Sequence, residues 1–524
     1  MDLAKQRFFL KRLGLVCWFL SSGLLLRNAA ADWPQYRGPH HDGSSSEGLR
    51  TDWKSSPPKV VWRKTLGPSW SSMTISQGRV FTQISRSQDG ADREYCVALD
   101  ANTGQELWAA DLDIADYPDR GTGSDDGPRS TPSIDGDRVY VLTSYLKLYC
   151  LRADTGSVVW MRDFLGEFPG TEVISWQNAA SPLVIGDLIF LNSNVRRQCL
   201  MAVRKTDGET IWSGQDERMT HATPTYATLG GIPQIVFLTG KGLLGVRPET
   251  GAVQWRHAFT PSATSTAATP IVAGDFVYAS CAYAFGAWTA NVTKPASVFL
   301  VSKPDYKRGS AYQNHWATPV AHAGFLYGVV EDSRRSLSCF SLVERTNRWL
   351  TQSVGGVNPG FGSLIKVGGK LLILTESGRL VLAEPNPEAY TEIANFQALQ
   401  GICWNHPAYS NGRIYARSAK QLVVLDVAPA VTPLPPFSLH TTLMSESGTL
   451  RIEIRSMEGG VLLEDSAAAR LQLQGTSSLN DPLGWTPMDG SFVAVGGVLR
   501  RDVTLGTGTA HQFLRVRERT STSP

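Results

Sequence analysis

The sequence predicts an all-β protein: an eight-bladed β-propeller with tryptophan-docking repeats, followed by a small β-sandwich-like domain. Three observations lead to this prediction. The 524 residues include 49 Gly and 29 Pro, with 42% apolar and 9% aromatic side chains, which is a turn-rich composition. A strand–turn–strand pattern recurs at spacings of 42 to 50 residues, and a Trp follows a turn glycine at a fixed distance in four of the units.

The first 31 residues predict an export signal. Basic residues end at Arg12, an apolar stretch runs from Leu13 to Leu26, and small residues lead up to Asp32. This order is typical of a secretory signal peptide cleaved before Asp32, and the apolar stretch is too short to cross a bilayer comfortably. We therefore predict an exported protein, periplasmic or extracellular at the cell envelope, with no membrane span after cleavage. An uncleaved anchor is the alternative.

The charge of the chain argues against a nucleic-acid partner. The formal charge is +3, but residues 1–31 hold five basic side chains and one acidic one, so the rest is almost neutral. Nucleic-acid binders need a basic surface. Six cysteines follow residue 31 without any CxxC pair, which disfavours a zinc site or a redox dithiol.

One unit of the repeat, residues 130–160, reads STPSIDGDRVYVLTSYLKLYCLRADTGSVVW. A Ser/Thr-Pro anchor precedes a strand, a Gly-Asp turn, two further strands, a Gly turn and a Trp. The glycine turns supply the backbone angles of tight hairpins, and the runs between them are β-branched and alternating. The anchor prolines at 132, 182, 224, 270 and 319 are spaced by 50, 42, 46 and 49 residues, and Pro407 lies 88 further on. With degenerate copies near Ser72 and Gly362, this predicts eight units.

The tryptophans indicate how neighbouring units pack. A Trp stands four residues after its turn glycine in four units: Gly104 and Trp108, Gly156 and Trp160, Gly208 and Trp212, and Gly251 and Trp255. A large ring at a fixed offset from a turn can dock between neighbouring sheets at every step. Units of this length with four strands are typical of propeller blades.

The two ends of the repeat region complement each other. The last unit stops after residues 421–427 without a Trp-bearing fourth strand, while residues 59–66 form an orphan strand of that type. We predict that residues 59–66 complete the last blade and close the ring of residues 32–430, which leaves no open sheet edge.

The repeat ends before the C-terminal part of the chain. Residues 431–437 are Pro-rich and are predicted to be a stiff linker. Residues 438–524 contain short alternating runs, which predict the small β-sandwich-like accessory domain. A binding role and a plain spacer both stay open for it.

The repeat resembles the pyrroloquinoline-quinone-like (PQQ-like) β-propeller family over residues 32–426. The segments that carry the resemblance are DWPQYRGPHHDG at 32–43, GPRSTPSIDGDRVY at 127–140 and CWNHPAYSNGRIYAR at 403–417. That family contains quinoprotein alcohol dehydrogenases and the non-enzymatic outer-membrane assembly factor known as the B subunit of the β-barrel assembly machinery. The resemblance implies the fold and leaves the activity open, because one fold hosts many functions.

The resemblance also implies what an enzyme of this family would need. Its enzymes hold their quinone over the ring axis with Ca²⁺ bound by Glu, Asn and Asp, an Asp base, a stacking Trp and often adjacent cysteines. This chain has no adjacent cysteines, and Asn178 has no acidic partner at a corresponding position. We therefore carry over no catalytic residue and predict no cofactor. PQQ and Ca²⁺ belong to the alternative of a quinone-dependent oxidoreductase acting on an alcohol or sugar.

The candidate binding site is the mouth of the central channel. In a propeller the loop entering each innermost strand lies there, and here that strand follows the Ser/Thr-Pro anchor. Rings, amides, imidazoles and one guanidinium before the anchors suit a flat or polar ligand, although they could instead plug and hydrate the channel. The three imidazoles are far apart in sequence, and we predict no metal site. The candidate residues are Trp70, Arg129, Trp176, Asn178, His221, His315, Trp316, Asn358, Trp404, Asn405 and His406.

The leading functional hypothesis is a monomeric, exported binding or scaffold propeller of the cell envelope. It would hold a protein partner or a small-molecule ligand at the channel mouth. The quinone-dependent oxidoreductase is the alternative. A third hypothesis is a glycan-binding propeller assisted by residues 438–524.

Overall fold

The computed structural model divides the chain into two compact units, Met1–Ala428 and Pro429–Pro524. The predicted export signal and most of the predicted linker lie outside the described residues. The structure describes residues 32–118, 126–261, 266–283, 285–293, 300–302, 313–332, 334–429, 437–444, 449–457, 462–463, 467–468, 471–476, 486–488, 490–504 and 513–518.

Where the structure describes the first unit, it consists of strands and one short helix. In chain order these are β1 (Ser44–Ser45), β2 (Lys59–Thr65), β3 (Thr74–Ser76), β4 (Arg79–Gln88), β5 (Ala91–Asp100), β6 (Glu106–Ile114), β7 (Ser133–Asp135), β8 (Arg138–Leu142), β9 (Lys147–Arg152), β10 (Val158–Asp163), α1 (Phe164–Glu167), β11 (Leu183–Ile185), β12 (Leu188–Asn192), β13 (Leu200–Arg204), β14 (Thr210–Gly214), β15 (Thr225–Leu229), β16 (Ile232–Thr239), β17 (Gly242–Val246), β18 (Val253–Ala258), β19 (Ile271–Ala273), β20 (Phe276–Cys281), β21 (Gly286–Thr293), β22 (Leu300–Ser302), β23 (Val320–His322), β24 (Phe325–Val330), β25 (Ser336–Ser341), β26 (Thr346–Thr351), β27 (Ser363–Val367), β28 (Lys370–Leu374), β29 (Arg379–Glu384), β30 (Thr391–Gln397), β31 (Ala408–Ser410), β32 (Arg413–Arg417) and β33 (Gln421–Asp426).

These strands form eight sheets within the described residues. We number the sheets 1 to 8: β3–β6, β7–β10, β11–β14, β15–β18, β19–β22, β23–β26, β27–β30 with β1, and β31–β33 with β2. The innermost strands of sheets 1 to 8 are, in order, β3, β7, β11, β15, β19, β23, β27 and β31. β3 contacts both β7 and β31. The predictions of an all-β chain and a propeller fold are confirmed.

The ring closes through the first long strand. β2 lies antiparallel to β33, with Trp62 opposite Val424, so sheet 8 contains both ends of the repeat region. Buried Arg417 on β32 adds a second link, since its guanidinium donates to Thr82 Oγ1 of sheet 1 at 3.0 Å and to the Ala419 carbonyl at 3.0 Å. Burial lowers the pKa of Arg417 to about 9. The contact between sheets 8 and 1 is therefore both apolar and hydrogen-bonded.

The tryptophans dock on the turn of the next sheet. The Trp108 ring of sheet 1 lies against Gly156 of sheet 2, and its Nε1–H donates to the Ala153 carbonyl at 3.1 Å. Only glycine leaves room for the ring there. Trp62, Trp160 and Trp212 lie in the same way against Gly104, Gly208 and Gly251. Trp255 differs, because its Nε1–H donates to Gln234 within its own sheet.

The Ser/Thr-Pro anchors form a relay of hydrogen bonds between sheets. The Ser72 backbone N–H donates to Thr131 Oγ1 at 3.0 Å, and the Thr131 N–H donates to Ser181 Oγ at 2.9 Å. The Ser181 N–H donates in turn to Thr223 Oγ1, and the His406 N–H donates to Ser72 Oγ. A hydroxyl is needed at the anchor because it accepts the N–H of the preceding sheet's anchor.

Residues 33–45, here called the N-terminal strap, cross the ring enclosed by the innermost strands. Trp33 bridges to Ile75 on β3, and the Pro34 carbonyl accepts the N–H of Ile134 on β7. The buried guanidinium of Arg37 donates to the Pro319 carbonyl at 2.6 Å, beside β23. Further contacts of the strap are Gln35 to Val184, His41 to Tyr226, Arg37 to Leu364, Ser44 to Lys366 and Tyr36 to His406. These partners lie in seven sheets, so the strap closes the channel below its mouth.

The described parts of the second unit form two antiparallel sheets. Its strands are β34 (Phe437–Met444), β35 (Thr449–Ser456), β36 (Leu471–Thr476), β37 (Thr486–Pro487), β38 (Val493–Val495), β39 (Val498–Thr504) and β40 (Phe513–Glu518). One sheet has the order β34-β35-β39-β38 and the other the order β37-β36-β40. Ile452, Ile454, Leu473 and Leu499 belong to one buried apolar cluster of this unit.

The cysteines after residue 31 form no disulfide bonds within the described residues. Cys96, Cys150, Cys199, Cys281, Cys339 and Cys403 are buried free thiols. Across the described residues, no helix has the length and apolar character that a membrane crossing requires.

Candidate functional site

Nine of the eleven predicted site residues line one cavity of about 330 Å³, here called the cup. They precede the innermost strands of sheets 1, 2, 3, 4, 6 and 8, so the ring brings loops distant in sequence to one place. The nine are Trp70, Arg129, Trp176, His221, His315, Trp316, Trp404, Asn405 and His406.

The other two predicted residues, Asn178 and Asn358, do not line the cup. Asn178 is fully buried, where its amide donates to the Thr143 and Ala180 carbonyls and accepts the Ala180 N–H. Asn358 is exposed and caps its own turn by accepting the Gly360 N–H at 2.8 Å. In both cases the side-chain amide that we expected to face a ligand is instead hydrogen-bonded to backbone groups.

Three tryptophans form a continuous aromatic wall on one side of the cup. The ring centroids of Trp70 and Trp404 are 4.5 Å apart with an interplanar angle of 30°, and those of Trp316 and Trp404 are 4.6 Å apart at 52°. Phe361, behind the wall, lies 4.6 Å from Trp316. These distances are typical of packed aromatic pairs. The wall therefore joins sheets 6, 8 and 1, with Phe361 of sheet 7 packed behind it.

Carboxylates hold two of these rings. The Nε1–H of Trp70 donates to Asp126 at 3.2 Å, and that of Trp404 donates to Glu376 at 2.8 Å. Because these indole donors are already used, the two rings offer the cup apolar surface. Sequence analysis selected neither carboxylate: Asp126 stands in an acidic loop five residues before Thr131, and Glu376 follows β28 instead of preceding an anchor.

The part of the cup beside Trp70 is polar but locally neutralised. Arg129 forms an ion pair of 2.7 Å with buried Asp126, and its guanidinium lies 5.8 Å from the ring centroids of Trp176 and Tyr117. Trp176 and Gln177 have φ of 68° and 54°, the left-handed region that side chains rarely adopt. Such strain is often found at binding sites.

Two of the imidazoles are held neutral. Burial lowers the pKa of His315 and of His406 to about 3, with help from Arg335 and Arg37, respectively. His406 Nδ1 lies 3.3 Å from the Tyr36 hydroxyl, which belongs to the strap. Near neutral pH these rings therefore contribute uncharged hydrogen-bonding groups rather than proton transfer or charge.

The structure adds six residues to the cup that sequence analysis did not select: Tyr36, Ser72, Ala179, Thr223, Ala267 and Tyr283. Ser72 and Thr223 are anchors themselves, so the repeat contained a signal for them. Tyr36 arrives with the strap, and Tyr283 follows β20 with 63% of its surface exposed. Neither occupies a repeat position, and no sequence pattern indicated them.

A buried acid lies beside the polar wall. Glu94 accepts the Tyr117 hydroxyl at 2.6 Å and the Ser144 N–H at 3.1 Å, and Tyr117 lies beneath Arg129. Burial raises the pKa of Glu94 from 4.5 to about 7, against the lowering effect of these hydrogen bonds. The propeller therefore contains an acid that titrates near neutral pH.

We expect the stability of the propeller to fall as pH rises through about 7, because folding favours protonated Glu94. The contribution of Glu94 to the free energy of unfolding is about 3 kcal/mol. It is fully present below about pH 4.5 and is lost as the pH rises above the pKa of Glu94 in the folded state. Urea unfolding at about pH 5 and about pH 8 measures it. Glu94→Gln should remove most of this pH dependence, whereas Glu249→Gln, at an exposed position, should keep it. An unchanged pH dependence in Glu94→Gln would contradict the assignment.

The residues of the cup do not fit the quinone and Ca²⁺ that the enzymes of the resembled family use. PQQ is a tricarboxylate, whereas the cation lining the cup, Arg129, is already paired with Asp126. The amide of Asn178, the side chain considered for Ca²⁺ in the resembled enzymes, is bonded to backbone groups. Within the described ranges, no three His, Cys, Asp or Glu side chains are grouped as a metal site needs. The donor set is therefore different from the one that this chemistry requires.

Comparisons with known proteins match the central part of the chain. Residues 92–351 match the family described as outer membrane protein assembly factor BamB. A curated relative, outer membrane protein assembly factor BamB of Moranella endobia (strain PCIT), is 28% identical over 248 residues, which cover 42% of this chain. The chain spans 57% of the length of that relative. The resemblance to PQQ-like propellers is thus confirmed.

One solved structure supports the fold. Quinohemoprotein alcohol dehydrogenase from Comamonas testosteroni has a TM-score of 0.56 at 14% identity, covering 80% of this chain and 84% of the other. BamB from Moraxella catarrhalis has a TM-score of 0.47 at 15% identity, covering 72% and 99%. At these identities the first likeness shows a shared propeller fold and nothing about activity.

Proposed function

We propose that this BamB-like propeller is an exported binding protein of the cell envelope that holds a partner group in the cup. The partner is a segment of an envelope protein or a small molecule. In this proposal residues 1–31 direct export, residues 438–524 form an accessory domain, and the protein acts as a monomer, periplasmic or at the cell surface.

The observation that carries the proposal is the character of the cup. Loops from seven sheets meet around one cavity that is lined by both aromatic and polar side chains. A concave site with apolar walls and a few polar groups is the usual form of a ligand site. The neutral imidazoles and the paired Arg129 support binding rather than acid–base catalysis.

The curated relative supports the envelope setting. That relative is named an outer membrane protein assembly factor, and the family match lies within the propeller. The N-terminal signal pattern agrees with export. We propose that this chain acts in the same compartment, with its own ligand defined by its own cup.

Photocrosslinking in the native host tests the proposal. We expect benzoylphenylalanine in place of Tyr283, at the exposed rim, to form an adduct on irradiation. A gel shift reports a protein adduct, and the intact mass reports a small one. The same residue in place of Val253, on the outermost strand of sheet 4, should form none.

A second variant separates the cup from its surroundings. Adding Trp316→Ala to the Tyr283 photoprobe chain should abolish the adduct, because the wall against which the partner packs is removed. If position 283 forms neither kind of adduct, or forms as much as position 253, the proposal of a binding cup is wrong.

A further inference from the structure

We infer that the ligand of the cup is a neutral saccharide of one or two sugar rings. This inference rests on the proposed binding function and names the chemistry of the ligand. Four features support it: the faces of the tryptophans, two unbonded polar atoms, the balance of charge and the size of the cavity.

The tryptophan wall suits the apolar face of a sugar ring. Asp126 and Glu376 hold the indole N–H groups of Trp70 and Trp404, which leaves ring surface toward the cup. The three rings are packed on one another in tilted pairs, so the cup meets their edges and the parts of their faces that this packing leaves uncovered. A pyranose carries its C–H groups on its faces and its hydroxyls at its edge, so it can stack on such a surface while its hydroxyls point elsewhere.

Two side chains that line the cup each contain a polar atom without a partner among the described residues. Trp316 Nε1, a donor, and Asn405 Oδ1, an acceptor, are both buried without a hydrogen bond. The exposed fraction of Asn405 is 2%. Leaving such atoms unbonded is costly, so a ligand that reaches them would gain by supplying an acceptor and a donor. A hydroxyl group supplies both.

The charges disfavour an ionic ligand. Arg129 is neutralised by Asp126, and the imidazoles of His315 and His406 are uncharged near neutral pH. An anion would meet Asp126 and Glu376 behind the wall. A quaternary ammonium ion prefers rings arranged as a cage around it, whereas Trp70 and Trp404 pack on each other.

The dimensions of the cup limit the length of the ligand. Its volume of about 330 Å³ lies at the lower end of the range for small-molecule sites, about 300–1,000 Å³. The strap closes the channel below, with Tyr36 in the floor beside His406. A saccharide end or a disaccharide fits such a blind cavity, while a long chain could not pass through it.

Binding of defined sugars to the full chain tests the inference. Cellobiose, maltose, xylobiose and chitobiose are titrated at millimolar concentrations, with tryptophan fluorescence and saturation-transfer NMR as readouts. We expect at least one sugar to shift the fluorescence and to show its ring protons in contact with aromatic side chains. Choline chloride and sodium citrate, as cationic and anionic probes, should give no response.

Variants place the sugar in the cup. Trp316→Ala should weaken binding about tenfold, the effect of losing one stacking contact. Tyr283→Ala provides a second variant that does not threaten folding, because Tyr283 is 63% exposed, and it should weaken binding several-fold. Leu350→Ala, at an exposed position on the outermost strand of sheet 6, should leave binding unchanged.

The outcomes separate the two proposals. If no sugar binds while the crosslink at position 283 forms, the saccharide inference is wrong and the binding cup stands. Binding of choline or citrate instead of sugar would also overturn it. Sugar binding that both cup variants retain would place the saccharide elsewhere in the chain and overturn it too.

Discussion

Gly156→Ala is expected to destabilise the propeller by about 3 kcal/mol or more, because it combines a left-handed backbone with overpacking. Gly156 has φ of 74°, and a Cβ there would lie 2.5 Å from Trp108 Cε3. The buried indole cannot retreat without losing its bond to the Ala153 carbonyl. Urea unfolding followed by circular dichroism measures the change.

Gly136 provides a matched control for this prediction. It has φ of 59° in a hairpin turn of sheet 2, and a Cβ there would meet nothing within 4 Å. Gly136→Ala should therefore cost only the left-handed backbone term, about 1 kcal/mol. Equal losses at the two positions would show that the tryptophan does not depend on the glycine.

Trp62→Ala is expected to cost about 3–5 kcal/mol, the usual range for truncating a buried aromatic side chain. The Trp62 ring on β2 is 8% exposed, lies against Gly104 and donates to the Ala101 carbonyl at 2.9 Å. It joins the closing strand of sheet 8 to the turn of sheet 1. The loss should appear in urea unfolding as a lower midpoint.

Val60 on the same strand controls for strand pairing alone. It is 41% exposed, so Val60→Ala should change stability by less than about 1 kcal/mol. If Trp62→Ala were as mild as Val60→Ala, ring closure would not depend on the docked indole.

The parts of the fold that repeat were accessible from the sequence. Trp108 and Gly156 occur at a fixed offset because every sheet meets the same packing problem, so the solution recurs in the chain. Convergence of nine loop residues on the cup follows from the same periodicity, since each anchor starts an innermost strand. Asn178 was predicted to line the cup but does not, because the position of its side chain is set by local backbone hydrogen bonds and not by the repeat.

Features of the fold that occur only once could not be predicted from the sequence. Arg417 on β32 looks like an exposed strand residue, yet it is fully buried, with its guanidinium bonded to oxygens of sheets 8 and 1. The strap also leaves no periodic trace, although DWPQYRGPHHDG was a specific part of the family resemblance. Long-range contacts of this kind depend on the closed ring and not on neighbouring residues.

The pairing of β2 with β33 also constrains when folding can finish. Each of sheets 1 to 7 takes four consecutive strands from one continuous stretch of chain, so it can assemble from local contacts while the nascent polypeptide is still emerging. Sheet 8 cannot be completed until residues 421–426 have been synthesised, because β33 must then pair with β2, which was synthesised hundreds of residues earlier. Contacts of such high sequence separation form slowly. The rate-limiting event is therefore expected to be this final recapture, after the ribosome has released the whole ring.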